Sequence, residues 1–96
     1  LWLAEQSHRR GMAIVQKNTS SIVRDIRSSY DGALTEDCYK DGWCADMQPY
    51  LDHNQPVFAC EYASGIFNAA CTWGQGKKVS FILKKEDLGA WIQFCP

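Results

Sequence analysis

Five cysteines, Cys38, Cys44, Cys60, Cys71 and Cys95, stand in a chain of 96 residues, and an odd count leaves one without an intramolecular partner. No CxxC occurs, and neither histidine, His8 or His53, falls at metal-ligand spacing from a cysteine pair. The pattern therefore predicts no metal and no cofactor. It predicts disulfides, and with them an oxidising, extracellular compartment. Asn18-Thr19-Ser20 is an acceptor triplet for N-glycosylation and fits the same compartment, with Asn18 the candidate attachment point.

Composition limits the partners. Ten basic and eleven acidic residues are interspersed, for a net charge of −1. Nucleic-acid binding and a polybasic membrane anchor both need a concentrated basic face that this chain lacks. Its apolar runs are too short to span a bilayer. With 46% hydrophobic residues a core is within reach, and the length suits one domain, residues 1–96. The first residue is Leu, which points to a processed chain.

Periodicity suggests the elements. Val15, Thr19, Ile22, Ile26 and Tyr30 recur at helical spacing, so an amphipathic helix is expected over roughly 11–30, closed by Asp31-Gly32. Residues 31–56 read as a long loop with one helical turn near 45–51, tethered by its two cysteines. The period then becomes two. Phe58, Cys60 and Tyr62 alternate in the first run, Phe67, Ala69, Cys71 and Trp73 in the second, and Val79, Phe81 and Leu83 in the third. Gly65 and Gly74-Gln75-Gly76-Lys77 connect them. This predicts an antiparallel meander with one apolar face. A closing helix is expected from Lys85, with Leu88, Trp91, Ile92 and Cys95 on one side. The fold class is then α+β: a disulfide-stabilised two-layer sandwich, an antiparallel sheet of three to four strands with two helices on one face.

In such a sandwich Cys95 reaches Cys71 or Cys60, and the other sheet cysteine holds the loop through Cys44 or Cys38. One of five cysteines omitted and three ways to pair the rest make fifteen schemes. The preferred bonded set is Cys44, Cys60, Cys71 and Cys95. Cys38 is left exposed, free or joined to a second chain or another copy. A Cys60–Cys71 bond across the hairpin is the rival, though opposed strand cysteines fit disulfide geometry less easily.

No assembled catalytic set is visible. His8 and His53 with nearby basic groups are the only material for acid–base chemistry, of the kind a small secreted ribonuclease uses. Surface histidines without such a role are commoner, so the reading is non-enzymatic. Trp2 and Trp43, in a terminal segment and a loop, are candidate contact anchors. Lys77 and Lys78 form a small basic edge beside them in the candidate contact surface.

The stretches "SFILKKEDLGAWIQFC" and "YKDGWCAD" give residues 37–95 a resemblance to the small α/β-sandwich killer toxins of yeasts and smut fungi, and to related secreted effectors of plant-pathogenic fungi. The odd cysteine count departs from that family, and only "LWLAE" is available for its fourth strand. The resemblance implies a secreted toxin subunit or effector that binds a protein or cell-surface target without catalysis, sometimes with a second chain. A small secreted hydrolase of ribonuclease type, or a secreted inhibitor or adhesion module, are the alternatives.

Overall fold

Two segments decide the architecture, and both can be tested by which side chains they bury. In "FNAACTWGQGK" the buried residues are Phe67, Ala70, Cys71 and Gly74, at i, i+3, i+4 and i+7. That is a helical stripe, and Ala69, which a strand would have buried, is exposed. In "VFACE" the buried residues are Val57, Ala59, Cys60 and Glu61, so one face of that strand is wholly covered and the other only at Cys60, with Phe58 exposed.

The computed structural model describes residues 1–96. Helix α1 (Trp2–Arg9) is followed by strand β1 (Val15–Lys17), a 3-10 turn, the one-turn helix α2 (Val23–Ile26) and a second 3-10 turn. Strand β2 (Gly32–Glu36) leads to α3 (Cys38–Asp41), a 3-10 turn and α4 (Gln48–Asp52). Strand β3 (Val57–Glu61) leads through another 3-10 turn to α5 (Phe67–Lys77). Strands β4 (Val79–Leu83) and β5 (Gln93–Phe94) complete the chain.

The five strands form one sheet in chain order. The first three pairings are parallel, and only β5 runs antiparallel, against β4. One face carries Ala33, Thr35, Val57, Ala59, Val79, Phe81 and Leu83, all buried. Helical residues Val23, Met47, Tyr50, Phe67 and Ala70 pack there as part of one core. Burying this face and the helical stripes together is the main stabilising term. The opposite face carries Lys17, Leu34, Phe58 and Ser80 in one row, and Glu36, Cys60 and Ile82 in the next. Phe58 is 46% exposed there. Strands added side by side in chain order, with helices on one face, are the winding of a (β/α) barrel wall.

The expected antiparallel two-layer sandwich is therefore corrected to a mostly parallel sheet. The expected helix over 11–30 is β1 and short turns of helix, and the expected 31–56 loop holds β2, α3 and α4. "LWLAE" opens α1 and is no strand, with Leu1 as the N-cap and Arg9 bonded to Glu5 one turn away at 2.8 Å. The closing helix is absent: residues 85–92 form a turn with Leu88 at φ 56°, and Leu88, Trp91 and Ile92 are exposed.

Candidate functional site at the carboxyl ends of the strands

In parallel sheets of this winding, polar side chains that can meet a ligand gather where the strands end. Strand β1 ends at Lys17-Asn18, β2 at Glu36-Asp37 and β3 at Glu61-Tyr62. The parallel register sets Glu36 beside Cys60 on the open face, with Tyr62 one step further along the same side.

Glu36 is the focus of this end. Its side chain is 35% exposed. The Tyr62 hydroxyl donates to its Oε1 at 3.2 Å, and Lys17 Nζ stands 3.6 Å from the same oxygen. Burial, and after it the neighbouring Cys60, push the Tyr62 phenol well above its ordinary range, so it remains a donor. Asn18 Oδ1 accepts the Glu36 backbone N–H at 2.8 Å. Tyr62 and Lys17, from the strands on either side of β2, thus hold one carboxyl while leaving part of it open, and Asn18 holds the backbone behind it.

Glu61 is the opposite case. It is wholly buried, and its two oxygens accept the N–H groups of Tyr39 and Lys40 at 3.1 Å each. Those donors belong to the first turn of α3, which no internal carbonyl can satisfy. Glu61 therefore anchors α3 to β3 and is shielded from any substrate. Burial raises its carboxyl above the usual range. Between the two, Asp37 sits in the left-handed region at φ 59°, and its Oδ1 is buried without a hydrogen-bond partner.

The cysteines close the frame. Cys38 is bonded to Cys44, and Cys71 to Cys95. The first bond fastens α3 to the turn that follows it; the second ties β5 to α5. The free cysteine is Cys60, which is buried. The expected free or interchain thiol at Cys38 is thus corrected, as is the expected bond at Cys60. Cys60 points to the open face while Cys71 lies on a helix behind the sheet, so the two are separated by the sheet itself. Burial raises the Cys60 thiol, which disfavours the reactive thiolate. The sulfurs of Cys38 and Cys44 and a Glu61 oxygen lie within 4.8 Å of one another, but bonded sulfurs are not thiolate ligands.

The two histidines do not meet. His8 on α1 bonds Asp31 Oδ2 at 2.9 Å, and His53 bonds the Pro49 carbonyl at 2.8 Å. Both precede strands, near their amino ends, away from Glu36. Trp2 is 68% exposed on α1, while Trp43 is only partly exposed and packs on the core. Lys77 and Lys78 are exposed at the end of α5, before β4 begins. A cavity of about 620 Å³ between α1 and Ser28-Ser29 shares no residue with the carboxyl-end site. No helix is long and apolar enough to cross a membrane.

Glu36 was not singled out in the sequence because its partners stand at positions 17, 18 and 62, far apart along the chain. The available signal was weak: an acid or amide closing each of three short apolar runs.

Comparison with known proteins fits this geometry. No curated protein matches the chain. A crystal structure of Ega3 from Aspergillus fumigatus, in complex with galactosamine, superimposes with a TM-score of 0.87 at 25% sequence identity. The match covers 97% of this chain and 42% of that one, so the chain spans less than half the length of its structural relative. The family model described as glycoside-hydrolase family GH114 matches residues 1–96. These findings overturn the resemblance to killer toxins and effectors and the non-enzymatic reading that came with it. Of the alternatives a hydrolase is the nearer, though not one of ribonuclease type. With the family model matching from end to end, the chain belongs to glycoside-hydrolase family GH114.

Proposed function

We propose that this chain supplies an acid–base carboxyl, Glu36, to a secreted hydrolase of amino-sugar polymers. The observation that carries the reading is the single carboxyl at the carboxyl end of the sheet that is both gripped and open. Glycoside hydrolysis uses two carboxyl groups, one of which protonates the leaving oxygen. Protonated Glu36 gives its proton to the glycosidic oxygen as the bond to the anomeric carbon breaks. As the carboxylate it then takes a proton from the incoming water, whose oxygen forms the new bond to the anomeric carbon. Tyr62 and Lys17 steady the negative charge that appears on Glu36 in between.

The substrate class follows from charge and from the relative. Galactosamine, bound in the Ega3 crystal, is a cation at neutral pH. Asp37, next to Glu36 at this end of the sheet and in no ion pair, is the acidic group suited to such a sugar. Secretion is supported by the two disulfides, which persist in oxidising surroundings.

The test is hydrolysis of galactosamine oligomers by the native protein and by Glu36→Gln. Loss of the proton donor should lower kcat by about a thousandfold with the fold intact. Undiminished cleavage by Glu36→Gln would overturn the assignment.

A further inference from the structure

Past β1 the backbone turns through the left-handed region twice, with Asn18 and Thr19 both at φ 53°. Such turns cost residues other than glycine about 1–2 kcal/mol each, so something must hold them. Gln16 does so from beneath. It is 3% exposed, and its Nε2 donates to the carbonyls of Asn18 and Thr19 at 2.8 Å each. Its Oε1 in turn accepts the hydroxyl of Tyr50, fully buried, at 2.8 Å. Burial pushes that phenol up to about 12, which keeps it a donor.

The effect of this buried chain is to aim one side chain. The Asn18 N–H donates to the Leu34 carbonyl at 2.9 Å, and its Oδ1 accepts the Glu36 N–H at 2.8 Å. The turn thus continues the β1–β2 ladder with a side-chain oxygen where the strand has ended. It fixes the peptide from which the Glu36 carboxyl projects. We propose that Asn18 is a positioning residue for Glu36, held in place by the Gln16–Tyr50 pair, and that the left-handed turn exists to present its amide. The inference rests on the acid–base reading of Glu36 given above. A polar network that is fully satisfied and buried rigidifies what it supports, and small misplacement of a catalytic group costs up to about a hundredfold in rate.

Asn18→Gly is the sharpest variant, because glycine adopts φ 53° without strain and loses only the side-chain acceptor. On a galactosamine oligomer the native protein carrying it should lose about tenfold or more in kcat, with KM within about threefold. Asn18→Asp keeps the oxygen and should hold its best kcat within about threefold of native. Its added charge beside Glu36 should move the alkaline limb of the kcat profile to higher pH, since a neighbouring carboxylate holds the proton on the acid. A loss smaller than about tenfold in folded Asn18→Gly overturns the proposal. So does an alkaline limb that stays in place in Asn18→Asp, which decides the matter alone if the glycine variant does not fold. Glu36→Gln run alongside tells the two failures apart. If it stays active, the acid–base reading falls and the positioning role with it. If it is inactive while Asn18→Gly is unimpaired, only the positioning role falls.

Discussion

The Glu61 carboxylate on β3 accepts the backbone N–H of Tyr39 at 3.1 Å, where α3 begins. It does the same for Lys40 with its other oxygen. A buried acid thereby serves as the N-terminal cap of a helix from another part of the chain, in place of a side chain within it.

That arrangement has a pH signature. Burial raises the folded-state value of Glu61 above 4.5, the two N–H groups pull it partway back, and Asp37 and Asp41 push it up again. The folded chain then holds this proton to higher pH than the unfolded chain. Its contribution to stability is full below about pH 4.5 and is lost as pH rises through the elevated folded value. Glu61→Gln has no proton to lose. Urea unfolding of both proteins between about pH 4 and 8 should show the native advantage over Glu61→Gln shrinking as pH rises. An advantage that grows with pH would mean that the N–H groups outweigh burial.

The disulfides should differ in worth because they close loops of different length. Cys71 and Cys95 are 24 positions apart, Cys38 and Cys44 only 6. Chain-entropy arithmetic gives about 3.5 kcal/mol for the first and about 2.4 kcal/mol for the second. Paired serine substitutions read by urea unfolding check the order. A thiol reagent offers an independent check: native protein should react hardly at all, and denatured protein should titrate one thiol per chain, that of Cys60. Two or more thiols in denatured, unreduced protein would contradict the pairing.

Gly74 should resist replacement even though it lies inside a helix, where alanine ordinarily stabilises by up to about 1 kcal/mol. A Cβ there would stand 2.6 Å from Phe81 Cδ2 and 2.7 Å from the Val79 carbonyl oxygen, so α5 sits on β4 at a distance only glycine allows. Gly74→Ala is expected to cost about 1–3 kcal/mol through overpacking. Gly76, with nothing within 4 Å of such a Cβ, is the control. Gly76→Ala should leave the melting temperature level or raise it. A rise for Gly74→Ala as well would refute the close-packing account.

By itself the sequence determined that the chain carries disulfides and part of what is buried. An odd set of cysteines without metal spacing implied disulfides, and two are present. Val79, Phe81 and Leu83 declared themselves as the core side of a strand, and all three are buried in one; in the run before them the expected face is reversed, with Val57 and Ala59 buried and Phe58 exposed. What it left open was anything that depends on contacts between distant segments. "FNAACTW" satisfies a period of two and a period of 3.6 alike, because short apolar runs fit both templates. Only the approach of α5 to β4, seated at Gly74, selects the helix. Parallel and antiparallel pairing use the same strands, and the choice lies in helical crossovers whose one-turn pieces, such as α2 and α3, carry little periodic signal of their own. Among fifteen cysteine schemes the winding of the chain picked one, by putting Cys60 on the open face and Cys71 behind the sheet. The site was hidden for the same reason. Lys17, Glu36 and Tyr62 carry no motif in the linear sequence, Asn18 stands out there only as a glycosylation acceptor, and the four become a constellation only because parallel strands stop side by side, bringing residues up to 26 positions apart within hydrogen-bonding range.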